Sequence, residues 1–233
     1  MFDKGRTNAR LSIIAEQCAS AALEVARQDY KEYMAALKPG QTVEPMGKLK
    51  GRAGQERLYA SCEEFREKAA AVLAQAEREA GDEMAEAPSA AALAYVQALG
   101  ARSRVTKTEL EAAFRNYGDN WSIYKTLRDI EARQAREGHP AFVTGISSTL
   151  DGAMEYVEDA KKAIDRFING VRFQEYKDEN DLKSRLSFLQ MTLNGIADGN
   201  AFAGIVGGIT GGASRGGGRV TLPQIGRRES GIC

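Results

Sequence analysis

The sequence predicts an all-α fold: elongated helical hairpins or a bundle with coiled-coil-like seams, followed by a glycine-rich C-terminal tail. Three observations carry that expectation. Apolar residues recur at spacings of four and three in five separate stretches, and no convincing run alternates with a period of two. The most regular stretch is Leu58, Cys62, Phe65, Ala69, Val72 and Ala76, with Glu63, Glu64, Arg66, Glu67, Lys68, Gln75, Glu77 and Arg78 around them. That is the seam and the solvated face of a coiled-coil helix, and it reads as a surface for self-association. Proline and glycine clusters separate the stripes and set the element lengths. A helix of this kind cannot hide its seam alone, so other helices must supply partners.

In chain order, Thr7 or Asn8 is expected to cap a first helix running to about Leu37, with Leu11, Ile14, Cys18, Ala21 and Val25 on its seam. Lys38-Pro39-Gly40 stops it. Residues 38–54 hold Pro39, Pro45 and four glycines, which reads as a long loop. The second helix is expected from about Gln55 to Glu86. Both helices span about 30 residues, roughly 45 Å at 1.5 Å per residue. Equal lengths and matching seams predict an antiparallel hairpin over residues 1–86.

Residues 87–140 read as shorter helices. Ser89 caps one that Gly100 ends. Thr108-x-x-Glu111 reads as a capping box opening a helix through Tyr117, with Gly118 at its C′ position. Asp119 or Asn120 caps the next, Trp121 to Arg136, striped by Ile123, Leu127 and Ile130 and ended by Gly138-His139-Pro140. Residues 141–199 read as a second hairpin. Its first helix starts at Ser147 or Ser148, carries Leu150, Met154, Val157, Ile164 and Phe167 on one face, and closes at Asn169-Gly170. Asn180 or Asp181 caps the other, with Leu182, Leu186, Leu189, Leu193 and Ile196 in its stripe. Residues 200–233 form the tail: eight of the fifteen residues from Gly204 to Gly218 are glycine, and backbone entropy opposes the ordering of such a stretch alone.

Composition bounds the function. Lys plus Arg and Asp plus Glu both number 32, so no global field favours nucleic acid or membrane. Three cysteines, widely spaced and without a CxxC, argue against a disulfide framework or a zinc cluster. Met1 to Arg10 is polar and lacks the apolar core of a signal peptide. No apolar run reaches the roughly 18 residues that a spanning helix needs.

Few residues suggest chemistry. Cys18 and Cys62 lie on the two N-terminal seams and read as small buried hydrophobes. A redox pair would need their Cα atoms within about 7 Å. Cys233 reads as an exposed tail thiol. His139, the sole histidine, has no carboxylate or thiol at ligand spacing, so neither a metal site nor a catalytic triad is expected on it. No glycine-rich phosphate motif occurs, and no cofactor is expected.

Thr108 to Arg136 has the outline of a helix-turn-helix, and Arg102, Arg104 and Lys107 in the connector 102–107 precede it. With the basic loop 48–57 they support one alternative reading, a helical nucleic-acid-binding module. The head of the would-be recognition helix, Trp121-Ser122-Ile123-Tyr124, is made of packing groups, which favours a plain hairpin. The tail mixes Phe202, Ile205, Val206 and Ile209 with Arg215, Arg219, Arg227 and Arg228. A pure spacer needs none of these side chains, so the tail reads as a segment that docks on a partner.

The run Thr106-Lys107-Thr108-Glu109-Leu110, then Tyr117-x-Asp119-Asn120, then Leu127-x-x-Ile130, resembles segments of helical proteins of tailed bacteriophages, head-region proteins among them. The general habit, long Ala/Glu/Lys/Arg-rich helices with few aromatics, is similar to that of phage scaffolding proteins. The resemblance implies a non-enzymatic structural or assembly protein, self-associating and bound to other virion or capsid proteins, located in the virion or the host cytoplasm. The chain differs from the scaffolding habit in its glycine-rich tail and its zero net charge.

Overall fold

The computed structural model describes residues 1–38, 49, 51–139, 143, 146 and 148–199. Most of the loop between the first two helices and all of the tail residues named above, Phe202 to Arg228, lie outside them. Among the described residues the chain is helical without a strand: α1 (Lys4–Ala36), α2 (Arg52–Met84), α3 (Ala90–Gly100), α4 (Lys107–Tyr117), α5 (Trp121–Arg136), α6 (Ala153–Arg172) and α7 (Glu179–Ala197).

The apolar stripes of α1, α2, α6 and α7 meet in one core, and α3, α4 and α5 build a second, smaller one. In the first, α1 and α6 lie on the short diagonal, each touching the other three helices, while α2 and α7 flank them. The core these helices share is lined by small side chains: Ala15, Cys18, Ala19 and Ala22 on α1 and Ala160 on α6 are buried in it. The helices alternate in direction. Arg6 pairs with Glu79 at one end of α1–α2 and Glu32 with Arg57 at the other. Asn8 meets Leu193 and Arg27 meets Glu179 along α1–α7. Trp121 packs against both cores, and the Asn120 amide donates to the Glu86 carbonyl at 2.9 Å.

Polar groups fix the register. Asn8, buried, donates from Nδ2 to the Leu193 carbonyl at 2.8 Å and accepts the Tyr156 hydroxyl at 2.7 Å. That hydroxyl also reaches the Lys4 carbonyl. One asparagine thereby ties α1 to α6 and α7, and burial holds the Tyr156 phenol above its ordinary range. At the opposite end of the hairpin, buried Asp29 of α1 accepts the Gly51 N–H at 3.1 Å and satisfies the start of α2 from across the interface.

Several ends differ from the sequence expectation. Asp3 caps α1, accepting from Arg6 N, so Thr7 and Asn8 stand inside the helix and are buried. Helix α2 begins at Arg52, not near Gln55: its N-cap, Gly51, has no capping side chain, and Asp29 of α1 anchors it by accepting its N–H. The capping box is Thr106 with Glu109; the T-x-x-E pattern occurs twice, two residues apart, and the chain uses the first. Gly118 is right-handed (φ −72°), and its need for glycine is steric: a Cβ would stand 2.4 Å from the Phe114 carbonyl oxygen. Helix α6 starts at Ala153 behind left-handed Gly152 (φ 67°) and continues through Gly170 to Arg172. Its buried face is Ala153, Tyr156, Val157, Ala160, Ile164, Phe167, Ile168 and Val171, which leaves Met154 exposed. Asp178 caps α7, through Asp181 N.

Glycine Gly54 faces Asp29 so closely that a Cβ would lie 2.3 Å from its Oδ1, whereas Gly81 on the same helix has nothing within 4 Å. The same substitution therefore has opposite signs. Gly81→Ala gains helix propensity, about 1 kcal/mol. Gly54→Ala meets a buried carboxylate that cannot move without abandoning Gly51, and it destabilises by about 1–3 kcal/mol. Urea melts of the two variants check this.

Candidate functional site

Three local arrangements carry the chain's distinctive chemistry: a thiol pair between α1 and α2, a polar ridge on α5, and uncharged surfaces on α3 and on the second half of α7.

The seam residues Leu58, Cys62, Phe65, Ala69 and Val72 are all buried in the chain's own core, where α2 packs on α1 and α6. Their stripe is covered without a second copy. Cys18 and Cys62 meet there as free thiols, both buried. Their mutual hydrogen bond, together with burial, pushes the Cys18 thiol above its ordinary range. Arg66 and Arg172 lie near Cys62. Above it, the Arg172 guanidinium stacks on the Tyr59 ring at 5.1 Å and on Phe173 at 5.6 Å.

The α5 ridge runs through Arg128, Glu131 and Gln134. Arg128 lies over the Phe114 ring at 4.8 Å, pairs with Glu131 at 2.7 Å and donates to the carbonyls of Val143 and Ile146. Glu131, buried, accepts the Val143 N–H through its other oxygen. Gln134, fully buried, accepts the Val105 N–H at 3.0 Å and donates to the Ser103 carbonyl at 3.2 Å. One helix face therefore fastens the segment before α4 and the segment after α5. In sequence these residues look like ordinary surface polars; their spacing of three is the only signal that they share a face.

The basic connector is largely spent on neighbours. Arg102 pairs with Glu109 at 2.6 Å, and Lys107 lies 3.7 Å from Glu111. Ile123 and Tyr124, at the head of α5, are buried. His139 is exposed, its backbone N–H donating to the Gln134 carbonyl. Among the described residues no cluster of His, Cys, Asp and Glu is arranged to hold a metal ion, and no helix is long and apolar enough to cross a membrane.

The surfaces of α3 and α7 depart from the rest of the molecule. From Ala87 to Ala101 no residue is charged, and α3 buries only Ala92, Val96 and Leu99. Leu93 and Tyr95 remain 44% and 39% exposed. From Leu186 to Ala197 no residue is charged either, and Met191 and Phe188, on the outer side of α7, are 72% and 40% exposed. A surface helix ordinarily opposes its core face with charged residues.

The chain matches no protein-family model, no curated protein and no solved structure.

Glu131→Ala leaves the Val143 N–H without its acceptor and the Arg128 cation without its carboxylate. The expected loss is about 3 kcal/mol, the range for breaking one side of a buried pair. Glu137→Ala removes only an exposed partner of Arg133 and is expected to be nearly silent. Urea midpoints of the two variants make the comparison.

Proposed function

We propose that this chain is a non-enzymatic structural or assembly protein of a bacteriophage particle. It works by self-association and by docking its C-terminal tail on other proteins of the particle. The observation that carries the reading is the uncharged second half of α7, Leu186 to Ala197, with Phe188 and Met191 exposed on it. Helix α7 ends at Asp198-Gly199, and the tail follows directly. Phe188 and Met191 thus extend, onto a rigid helix, the apolar character of Phe202, Ile205, Val206 and Ile209. A rigid apolar strip beside a chain that carries its own apolar residues and arginines suits one continuous contact, in which burial offsets the cost of ordering glycine. The phage-like segments between Thr106 and Ile130 set the biological context.

The alternative, a nucleic-acid-binding helical module, draws on Arg102, Arg104, Lys107 and the loop 48–57. The ion pairs of Arg102 and Lys107 with Glu109 and Glu111 reduce the charge available for phosphate. Binding to DNA that weakens steeply with salt would favour that reading.

Truncation after Gly199 separates an active tail from a passive one. The truncated chain is expected to keep its helical circular dichroism and its melting temperature, and to lose incorporation into the assembly. Undiminished partner binding by the truncated chain would overturn the docking role, and a collapsed melt would place the tail in the core.

A further inference from the structure

We propose that the exposed face of α3 is the surface on which two copies of this chain pair, antiparallel, about a two-fold axis; this rests on the self-association reading above and names its site. Helix α3 is the one helix among the described residues with no charged side chain. It packs on α5 through Ala92, Val96 and Leu99. The opposite side presents Ala90, Leu93, Ala94, Gln97, Ala98 and Ala101, all exposed.

Three features select a second copy as the occupant. A residue on a two-fold axis meets its own copy, so a charge at the centre of the patch would face its like; here none exists from Ala87 to Ala101. Gln97, the single polar side chain on that face, both donates and accepts, so it can pair with itself across the axis. The flanks are complementary: Glu86 lies just before α3 and Arg104 just after it, both exposed and in no ion pair among the described residues. Antiparallel packing sets Glu86 of each copy beside Arg104 of the other. The alanines let the two backbones approach closely, and Leu93 fills the groove between alanines of the facing helix.

Size sets the strength. Eleven residues make a contact about 16 Å long. A pair of such helices falls short of the roughly 800 Å² per partner of a stable interface. The dimer is therefore expected to dissociate in the micromolar range, a strength suited to copies held together by a larger assembly.

Sedimentation velocity of the full chain, from low to high micromolar, tests the proposal. The wild type is expected to show a reversible monomer–dimer equilibrium. Leu93→Glu and Ala94→Glu, each at an exposed position where glutamate keeps the helix, are expected to raise the dissociation constant by about tenfold or more. Their melts should match the wild type. Met191→Glu on α7 is expected to leave the dimer unchanged. Arg104→Glu should weaken it, and adding Glu86→Arg should restore it. A dimer that survives both α3 substitutions overturns this surface and leaves self-association standing elsewhere. A wild type that is monomeric throughout removes self-association and this inference together.

Discussion

Alanine sets the terms on which this protein folds. The seams of α1 and α2 are lined by Ala15, Ala19, Ala22, Ala69, Ala76 and Ala80 as much as by larger residues. At about 25 cal/mol per Å² of apolar surface, a methyl group contributes little against the 1–2 kcal/mol that ordering each backbone residue costs. Two such helices cannot support themselves. The structure meets the deficit by giving each central helix several partners, so that α1 and α6 are covered on three sides. The same small side chains that weaken each contact allow the close diagonal that makes this geometry available.

Close packing of similar apolar seams leaves register undetermined, since one alanine stripe slides on another at small cost. The buried polar groups supply what the alanines cannot. Asn8 and Tyr156 lock α1 to α6 and α7 at one end, and Asp29 with Gly51 and Gly54 locks α1 to α2 at the other. In the smaller core, Arg128, Glu131 and Gln134 do the same for the segments around Val105 and Val143, whose own apolar side chains join that core. Each of these groups is expensive to bury unpaired, so only one alignment satisfies them all.

The sequence revealed the helices and hid what joins them. Apolar periodicity is local, and the stripes of α2, α5 and α7 could be read directly from it. Caps were read less well, because Thr106-x-x-Glu109 and Thr108-x-x-Glu111 are equally good locally and only the chain's path from Val105, held by Gln134, chooses between them. Hydrophobicity does not tell a core methionine from an exposed one, so the apolar stripe of α6 in the sequence includes Met154, which is exposed. Asn8, Asp29 and Glu131 have the appearance of surface residues, and their partners lie far along the chain. The packing of the N-terminal hairpin on α6 and α7 is likewise a long-range event with no local signature. For the candidate surfaces, the absence of charge in α3 and in the second half of α7 was present in the sequence; which sides of those helices face outward was not.

Shared packing makes α1, α2, α6 and α7 one cooperative unit, although three other helices separate its halves in sequence. Native-state hydrogen exchange in low urea measures this directly. The slowest amides of α1 and α2 are expected to share a single opening free energy and a single urea dependence with those of α6 and α7. If the amides of α1 and α2 stay protected after α6 and α7 have exchanged, the alanine seams are sufficient alone and the account is contradicted.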